Sequence, residues 1–346
     1  MAARQPGAGP VLSVEGLRAY YQMKYFGVVR EVRAVDGITL HIDRNEIYGL
    51  AGESSSGKTS FIKAIAAANR PPLNVIGGAV RYAFLDRDIH DLDRDALAAI
   101  RWRHLSYIMQ GSMNVLNPVR RIRRSFYDFA FAHIGKPEPE FLSIVEGHLR
   151  RLQLDPSVLG AYPHELSGGM RQRVTIALAT ICRPEFIIAD EPTTALDVVV
   201  QKGVLGMIRE IQREMGSSML FVTHDMAVHA NMADRLGIMY AGRLVEEAPT
   251  REIFANPLHP YTAHLIESLP RIGDVAEKKP LGGTPPNLSA PPPGCRFHPR
   301  CPLVMDICRR EVPELTTLAP AHRVACFAAS PAVRPVPRAE PAEAAR

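Results

Sequence analysis

The sequence lacks any apolar run as long as the roughly 18 residues that a membrane-spanning helix needs. The apolar run at Val174–Ile188 is interrupted by Arg183, Pro184 and Glu185. Residues 1–10 contain no apolar segment of the kind found in secretory signals. We therefore expect that the chain does not itself cross a membrane.

Cysteine is also scarce, with five among 346 residues. Without a secretory signal, this predicts a reducing, cytosolic setting in which structural disulfides are not expected. Any cysteines that lie close together are then better interpreted as metal ligands.

Charge of one sign is not concentrated in the chain, whose formal net charge is +5. The one dense basic run, residues 118–124, favours a solvated or partner-facing surface over a nucleic-acid site. We expect no nucleic-acid partner.

Short apolar runs alternate with longer helix-like segments over most of the chain. Strands are predicted at residues 11–14, 38–42, 47–51, 105–109, 186–189 and 219–222. Helices are predicted at residues 57–68, 90–103, 120–160 (broken at Pro137 and Pro139) and 167–181. Short, continuously apolar strands are typical of a buried parallel sheet, so the pattern predicts an α/β fold.

A phosphate-binding loop is predicted directly after the strand at 47–51. The segment Gly52-Glu53-Ser54-Ser55-Ser56-Gly57-Lys58-Thr59 matches the pattern G-x-x-x-x-G-K-[ST], and Ser60 continues it into a helix. Backbone amides would cradle the phosphates, with Lys58 at the β- and γ-phosphates and the Thr59 hydroxyl on Mg²⁺. The alternative is a glycine-rich turn without a ligand, but the flanking strand and helix favour a nucleotide site.

The apolar strand at 186–189 ends in two acids, Asp190 and Glu191. Such a strand can place Asp190 near Mg²⁺ and leave Glu191 to polarise the attacking water. Apolar runs that end in acids are common, so this motif gains its weight from the phosphate loop upstream.

The segment Leu166–Gln172 reads Leu-Ser-Gly-Gly-Met-Arg-Gln and resembles the LSGGQ signature of ABC ATPases. In that family Ser167 and the amides of Gly168 and Gly169 would meet the γ-phosphate of a nucleotide held by the other subunit. The resemblance therefore implies that two ATP molecules lie between two chains. The alternative is a helix that Ser167 caps and that carries a flexible pair of glycines.

Four smaller motifs agree with this family in order and spacing. Gln110 resembles the Q-loop glutamine, which contacts Mg²⁺ and water and couples to the membrane subunit. Ala195-Leu196-Asp197 resembles the D-loop, and His224 resembles the switch histidine at the γ-phosphate. Tyr21 resembles the aromatic residue that stacks on adenine, although its neighbour Tyr20 is a second candidate.

Further segments narrow the resemblance to oligopeptide- and dipeptide-type importers. They are Met113–Pro118, Tyr162–Glu165, His259–Thr262 and Gly294–Pro302. The match covers roughly residues 10–326 and resembles the D-type ATPase of a peptide, nickel or oligosaccharide importer.

The resemblance implies the cofactors and partners of the chain. ATP would bind with Mg²⁺, which Thr59, Gln110 and Asp190 would hold. The partners would be a second ATPase subunit (a related chain or a copy), two transmembrane permeases and an extracytoplasmic binding protein. The chain would lie on the cytoplasmic face of the membrane. An exporter ATPase or a soluble ABC ATPase would share the nucleotide motifs, but the C-terminal motifs favour import.

The same resemblance implies an ABC-type domain at residues 10–270, with a RecA-like core, an antiparallel β subdomain and a helical subdomain at about 111–182. A small cysteine-rich extension would follow at 271–326, and an Ala- and Pro-rich tail at 327–346 is predicted to be disordered.

Two residues depart from the family pattern. Ser55 stands where glycine is usual and fits only if its φ stays negative or if it accepts modest strain. Met170 replaces the usual glutamine and removes one side-chain amide. Neither change touches Glu191 or His224, so the site is expected to be catalytically competent.

Four of the five cysteines lie close together in the extension. Cys295, Cys301, Cys308 and Cys326 have the spacing C-x5-C-x6-C-x17-C. Zinc sites usually contain closer pairs, and the family resemblance points instead to a [4Fe–4S] cluster with a structural role. Zinc and free thiols remain alternatives. Cys182 is predicted to be a buried apolar residue inside a helix.

Overall fold

The computed structural model describes residues 9–25, 28–109, 115–194, 196–269 and 281–329. Its strands are β1 Leu12–Tyr25, β2 Val28–Ile42, β3 Ile47–Ala51, β4 Leu73–Tyr82, β5 Leu105–Ile108, β6 Phe186–Asp190, β7 Ser218–Val222, β8 Arg235–Tyr240, β9 Arg243–Pro249, β10 Thr316–Ala319 and β11 His322–Val324. Its helices are α1 Lys58–Ile65, α2 Arg94–Ile100, α3 Ile122–Phe126, α4 Ala132–Ile134, α5 Glu138–Arg151, α6 Gly168–Thr180, α7 Val198–Met215, α8 Met226–Met232, α9 Thr250–Ala255 and α10 Pro260–Glu267. None of the helices in these ranges is long and apolar enough to cross a bilayer.

The core of the fold is a parallel sheet with the strand order β8-β3-β7-β6-β5. Every residue of β3, β6 and β7 is buried, as their continuously apolar sequences predicted. Because these strands are parallel, their carboxyl ends lie at one edge of the sheet, and the loops that follow them meet there. The predicted α/β fold is confirmed.

The sheet continues past β8 with strands that run in the opposite direction. β9 pairs antiparallel with β8, and β11 pairs with β9 through the contacts Arg323↔Glu247 and Val324↔Glu246. The β10–β11 hairpin therefore makes the C-terminal segment part of the main sheet. Both strands are short, and β10 is largely exposed, so sequence periodicity did not reveal them.

A second, three-stranded antiparallel sheet has the order β2-β1-β4. Its strands β1 and β2 are much longer than the apolar segments predicted from sequence. Buried and exposed residues alternate along much of their length, as expected when one face of an antiparallel sheet remains accessible. A search for continuous apolar runs detects only parts of such strands.

The helices between β5 and β6 pack around a cluster of aromatic and aliphatic side chains. Phe126, Phe141 and Val174 are at most 1% exposed and belong to one core with residues of β6 and β7. The helical run predicted at 120–160 is interrupted where expected, since Pro137 precedes α5 and Gly135 ends α4 with φ 62°. Packing on the shared core holds these helices beside the parallel sheet.

Two predicted helices are shorter than expected. α1 ends at Ile65, and Ala67 then adopts a left-handed φ of 45°. The helix predicted at 90–103 divides into a 3-10 turn and α2, because Asp88 and Asp93 each accept a backbone amide and begin separate elements.

Two fully buried histidines, His229 and His259, should make folding depend on pH. Burial lowers the pKa of each imidazole to about 4, opposed in part by the Thr223 carbonyl for His229 and by Glu246 for His259. In the unfolded chain a histidine binds a proton below its ordinary pKa of about 6.5. The free energy of unfolding should therefore fall as pH drops from about 6.5 toward 4, by up to about 3 kcal/mol for each histidine. Urea unfolding at a series of pH values measures this loss.

A matched pair of variants tests the assignment. In His259→Asn the titrating ring is gone, but the new side chain can still accept the Tyr261 amide that His259 Nδ1 accepts at 3.1 Å. The pH dependence between 4 and 6.5 should then become shallower by about one proton. Asn at the exposed His164 should leave it unchanged. Equal slopes for His259→Asn and the wild type would contradict the assignment.

Candidate functional site

The loop between β3 and α1 has a backbone that requires glycine at two positions. Gly52 has φ 151°, and a Cβ there would lie 2.1 Å from the Met239 carbonyl oxygen. Gly57 has φ 102°, and a Cβ there would lie 2.0 Å from the Ala34 carbonyl oxygen. The loop is therefore pressed against β2 and β8, and only glycine fits at its two ends.

Ser55 adopts a left-handed backbone with φ 65°. Of the two options that the sequence left open, a negative φ or modest strain, the structure contains the second. The side chain is exposed and therefore meets no crowding beyond that of its own backbone. The strain is local to the loop.

Replacing Ser55 with glycine should relieve this strain. We expect Ser55→Gly to raise the free energy of unfolding by about 0.5–1 kcal/mol, the αL cost less the extra entropy of glycine in the unfolded chain. Ser54→Gly is the control, because Ser54 is exposed and lies outside the left-handed region, so glycine there should only destabilise. Chemical denaturation measures both, and an equal loss in the two variants would contradict the strain.

Lys58 points into the loop that precedes it. Its ammonium donates to the carbonyl oxygens of Gly52 at 2.6 Å and Glu53 at 2.9 Å. Burial lowers the pKa of Lys58, while the charges of Glu191, Asp190 and Glu53 act in the opposite direction. A partly desolvated cation beside backbone amides is a suitable site for a phosphate group.

The first turn of α1 offers free backbone donors. Gly57 is its N-cap, and none of the described side chains caps this end of the helix. Thr59 is exposed there, while Ser60 is buried and its Oγ lies 3.1 Å from the Tyr21 hydroxyl. The amides at the start of α1 and the exposed Thr59 therefore lie at the same end of the helix as Lys58.

Asp190 is the last residue of β6 and is almost fully buried. The Tyr107 hydroxyl of β5 donates to its Oδ2 at 3.0 Å. Burial raises the pKa of Asp190, with a further increase from Glu191, while Tyr107 and Lys58 oppose the shift. An oxygen ligand of this kind, next to a hydroxyl, suits a hard divalent cation such as Mg²⁺.

Glu191 follows in a left-handed conformation with φ 46°. Its carboxylate accepts a hydrogen bond from the Thr194 hydroxyl at 2.8 Å and lies 3.1 Å from His224 Nδ1. Burial pushes the pKa of Glu191 up, but the bonds from Thr194 and His224 and the charge of Lys58 more than offset this, and the pKa lies below its usual value. The group is held as an oriented carboxylate at neutral pH.

The ends of three neighbouring strands bring these groups together. Lys58 follows β3, Glu191 follows β6 and His224 follows β7, in a sheet where β7 lies between the other two. The charges of Glu191 and Asp190 each oppose the lowering of the Lys58 pKa by burial, so both carboxylates lie near its ammonium. The His224 side chain lies beside Glu191 and is 68% exposed. The arrangement can hold a phosphate and a divalent cation and can orient a water molecule.

Ser167 caps α6, as the capping interpretation predicted. Its hydroxyl accepts the Met170 amide at 3.3 Å and is otherwise exposed. Gly168 and Gly169 are half-buried, and a Cβ on Gly169 would lie 3.0 Å from Val200, so the start of α6 packs against the start of α7. Over the described ranges, no hydrogen bond joins residues 167–169 to the phosphate loop.

The two candidate adenine-stacking tyrosines differ in environment. Tyr20 is buried and donates to Asp36 Oδ1, whereas Tyr21 is half-buried next to Ser60 at the start of α1. The environment favours Tyr21 as the residue nearer the nucleotide loop.

Some predicted residues lie outside the described ranges. Gln110 is one of them, as are Met113 and Asn114 of the Met113–Pro118 motif and Ala195 of the D-loop motif. Asp197 of that motif is described, and it caps α7 by accepting the amides of Val199 and Val200.

The four C-terminal cysteines are neighbours in the fold. The Cys295 amide donates to the Cys308 carbonyl oxygen at 2.9 Å. Burial raises the pKa of the Cys295, Cys301 and Cys326 thiols, in the case of Cys301 to about 11, and the other thiols add to each shift. Cys182 lies half-buried just beyond the end of α6, not inside a helix as predicted, and burial raises its pKa to about 11.

These thiols have the right chemistry for iron or zinc but not a ligand arrangement. Within the described residues, no three His, Cys, Asp or Glu side chains are placed so that they could hold a metal ion. The described cysteines are therefore near one another but do not form the ligand set that the predicted [4Fe–4S] cluster needs.

Sequence reasoning missed three residues at the site. Tyr107 reaches Asp190, the Tyr261 hydroxyl accepts the Glu53 amide at 2.8 Å, and Arg300 forms an ion pair with the Glu53 carboxylate. Tyr261 and Arg300 both lie in segments that carried the family resemblance, but nothing in their local sequence indicated the contact with Glu53.

The phosphate loop, the acids Asp190 and Glu191 and the histidine His224 together form a nucleotide-binding site at one sheet edge. The chain matches the ABC transporter family over residues 35–194 and the oligopeptide/dipeptide transporter C-terminal region over residues 245–308. Its fold resembles the dimeric ATP-binding cassette MJ0796 bound to ADP and Pi (TM-score 0.59, 24% identity, 69% of this chain and 99% of that chain). It also resembles cbiO1 of Clostridium perfringens (TM-score 0.57, 24% identity, 71% and 91%).

Relatives of known type match nearly the whole chain. It is 40% identical to the dipeptide transport ATP-binding protein DppD of Caldanaerobacter subterraneus subsp. tengcongensis, over 91% of this chain and 96% of that protein. It is 38% identical to DppD of Bacillus subtilis, over 92% and 94%. The chain thus belongs to the ABC transporter family, among its oligopeptide/dipeptide-type ATP-binding proteins, and is an ATPase.

Proposed function

We propose that the chain is the ATPase subunit of an importer for oligopeptides, dipeptides or related solutes such as nickel or oligosaccharides. The observation that carries this proposal is the likeness to DppD proteins over nearly the full length, which extends into the C-terminal region. Exporter or soluble ABC ATPases would share the phosphate loop, but residues 245–308 match the C-terminal region of oligopeptide/dipeptide transporters.

In this proposal ATP lies on the loop from Gly52 to Ser60, with its adenine against Tyr21. Lys58 binds the β- and γ-phosphates, supported by the amides at the start of α1. Thr59, Asp190 and Gln110 hold Mg²⁺, which supplies electrostatic stabilisation of the phosphates when bound. The buried, hydroxyl-supported carboxylate of Asp190 supports this ligand set.

Glu191 orients the attacking water, and His224 stabilises charge at the γ-phosphate. The 3.1 Å contact between Glu191 and His224 Nδ1 supports their joint action, since each fixes the other. The lowered pKa of Glu191 keeps it ionised, which suits a group that polarises water.

A second subunit completes the site. Ser167, Gly168 and Gly169 meet the nucleotide of a partner ATPase, either a related chain or a copy. The exposed Ser167 hydroxyl supports this placement. Two permeases and an extracytoplasmic binding protein complete the transporter, and the chain lies on the cytoplasmic face of the membrane.

Affinity purification from membranes tests the proposal. A tagged chain, isolated in detergent from its own host, should bring down two permeases, and the ATPase activity of that complex in vesicles should rise with a peptide-loaded binding protein. Recovery without membrane subunits, or an ATPase activity that responds only to solutes on the cytoplasmic side, would contradict the import role.

We further propose that Cys295, Cys301, Cys308 and Cys326 hold a [4Fe–4S] cluster. Their proximity supports this, although the described arrangement would have to tighten around a cluster. Anaerobic purification should yield four iron and four sulfide per chain. Zinc, or neither metal, would contradict it.

A further inference from the structure

Arg300 of the C-terminal segment reaches the phosphate loop. Its Nη1 lies 2.8 Å from Glu53 Oε2 and its Nη2 lies 3.1 Å from Glu53 Oε1. The Arg300 side chain is 6% exposed and that of Glu53 is 27% exposed. Arg300 and Glu53 therefore form a bidentate ion pair that is largely shielded from water and joins residues far apart in sequence.

The rest of the guanidinium is also engaged. Nε donates to the Gly282 carbonyl oxygen at 3.1 Å, and Nη1 also lies 3.3 Å from the Tyr240 hydroxyl. The group lies 5.9 Å from the centre of the Tyr240 ring. Arginine is suited to this position because its planar fork serves several acceptors at fixed angles, which a lysine cannot do.

Glu53 needs such a partner because of where it lies. It is the second residue of a loop whose other features, two glycines, the Lys58 ammonium and a helix N-terminus, all favour an anion. A bare carboxylate there would repel a triphosphate. Glu53 is instead fixed on three sides, with its carboxylate on Arg300, its amide on Tyr261 and its carbonyl on Lys58.

Arg300 is held in place by the packing of the C-terminal segment, residues 281–329. Arg300 ends a 3-10 turn between Cys295 and Cys301, and Phe297 of that segment is buried against the rings of Tyr240 and Tyr261. The position of Arg300 is therefore set by the packing of the cysteine-rich segment.

We propose that Arg300 is a positioning residue of the nucleotide site: it neutralises Glu53 and holds its carboxylate away from the phosphates. The cysteine-rich segment thereby contributes to ATP binding through Arg300. This rests on ATP binding at the loop from Gly52 to Thr59.

Three variants of the full chain separate a charge effect from a structural one. Arg300→Gln leaves the Glu53 carboxylate unneutralised and should weaken ATP binding about 10-fold, raising KM with kcat within about 2-fold. Glu53→Gln removes the carboxylate and should bind ATP at least as tightly as the wild type. The double variant Glu53→Gln/Arg300→Gln should regain an affinity within about 3-fold of the wild type. Titration with a fluorescent ATP analogue measures all three.

Arg323→Gln is the control for docking of the C-terminal segment. Arg323 forms an ion pair with Glu247 at 3.2 Å, in β9, and bonds the Thr39 carbonyl. Its loss should lower stability and leave ATP affinity unchanged, because neither partner belongs to the phosphate loop.

Two results would overturn the inference. If Glu53→Gln and Arg300→Gln weaken ATP binding equally, the ion pair only stabilises the structure of the loop. If Arg300→Gln binds ATP with wild-type affinity, the ion pair has no role in nucleotide binding. If Arg300→Gln does not fold, Glu53→Gln alone decides, since a loss of about 10-fold contradicts the charge argument and tight binding supports it. Unchanged ATP affinity in Lys58→Met would instead refute the nucleotide site itself.

Discussion

Replacing Glu191 with glutamine is expected to reduce ATP hydrolysis at least about 100-fold while ATP still binds. Glutamine keeps the shape of the side chain but cannot act as an anionic acceptor for the attacking water. Its amide can still meet the Thr194 hydroxyl, so the loop should keep its form. Phosphate release measures the loss, and size-exclusion chromatography with ATP should show an accumulated dimer that cannot reopen by hydrolysis.

Glu15→Gln is the control, because Glu15 is an exposed carboxylate of β1 that pairs with Arg81 at the surface. It should hydrolyse ATP at the wild-type rate. ATP turnover near the wild-type rate in Glu191→Gln would refute the proposal that Glu191 orients the attacking water.

Lys58→Met is expected to weaken ATP binding at least about 100-fold, since charged hydrogen bonds to phosphates contribute about 1.5–3 kcal/mol each. The ammonium lies inside the loop on the Gly52 and Glu53 carbonyl oxygens, at the place where a phosphate would take over those contacts. Methionine keeps the length of the side chain and its apolar stem. Calorimetric titration with ATP and Mg²⁺ measures the change.

Lys63→Met provides the matched comparison on the same helix. Lys63 lies five positions further along, in the last turn of α1, and is exposed. Its loss should change ATP affinity less than about 2-fold, because an exposed charge is screened by solvent. Similar losses in both variants would mean that net charge, not the position of Lys58, governs binding.

Much of the site was predictable because its chemistry is local in sequence. The phosphate loop, the acid pair Asp190 and Glu191, and His224 each follow a short, buried strand. Parallel strands align their carboxyl ends, so residues after such strands must meet. For Ser55 the sequence left open whether φ stays negative or the residue accepts strain, because the backbone angle of a single loop residue is set by the surrounding fold.

The long strands β1 and β2 and the hairpin of β10 and β11 were less predictable. Half-exposed antiparallel strands have no continuous apolar run, and short edge strands gain their stability from a partner strand that is distant in sequence. The sequence periodicity therefore gave no sign that the C-terminal segment completes the main sheet.

The sequence alone determined the α/β class, the nucleotide loop and the family, because these depend on motifs of a few adjacent residues. Only the tertiary structure decided what surrounds those motifs. It joined Arg300 to Glu53, Tyr261 to the backbone of the same loop and Tyr107 to Asp190. Such contacts depend on how distant segments pack, and a linear pattern of residues contains no measure of that distance.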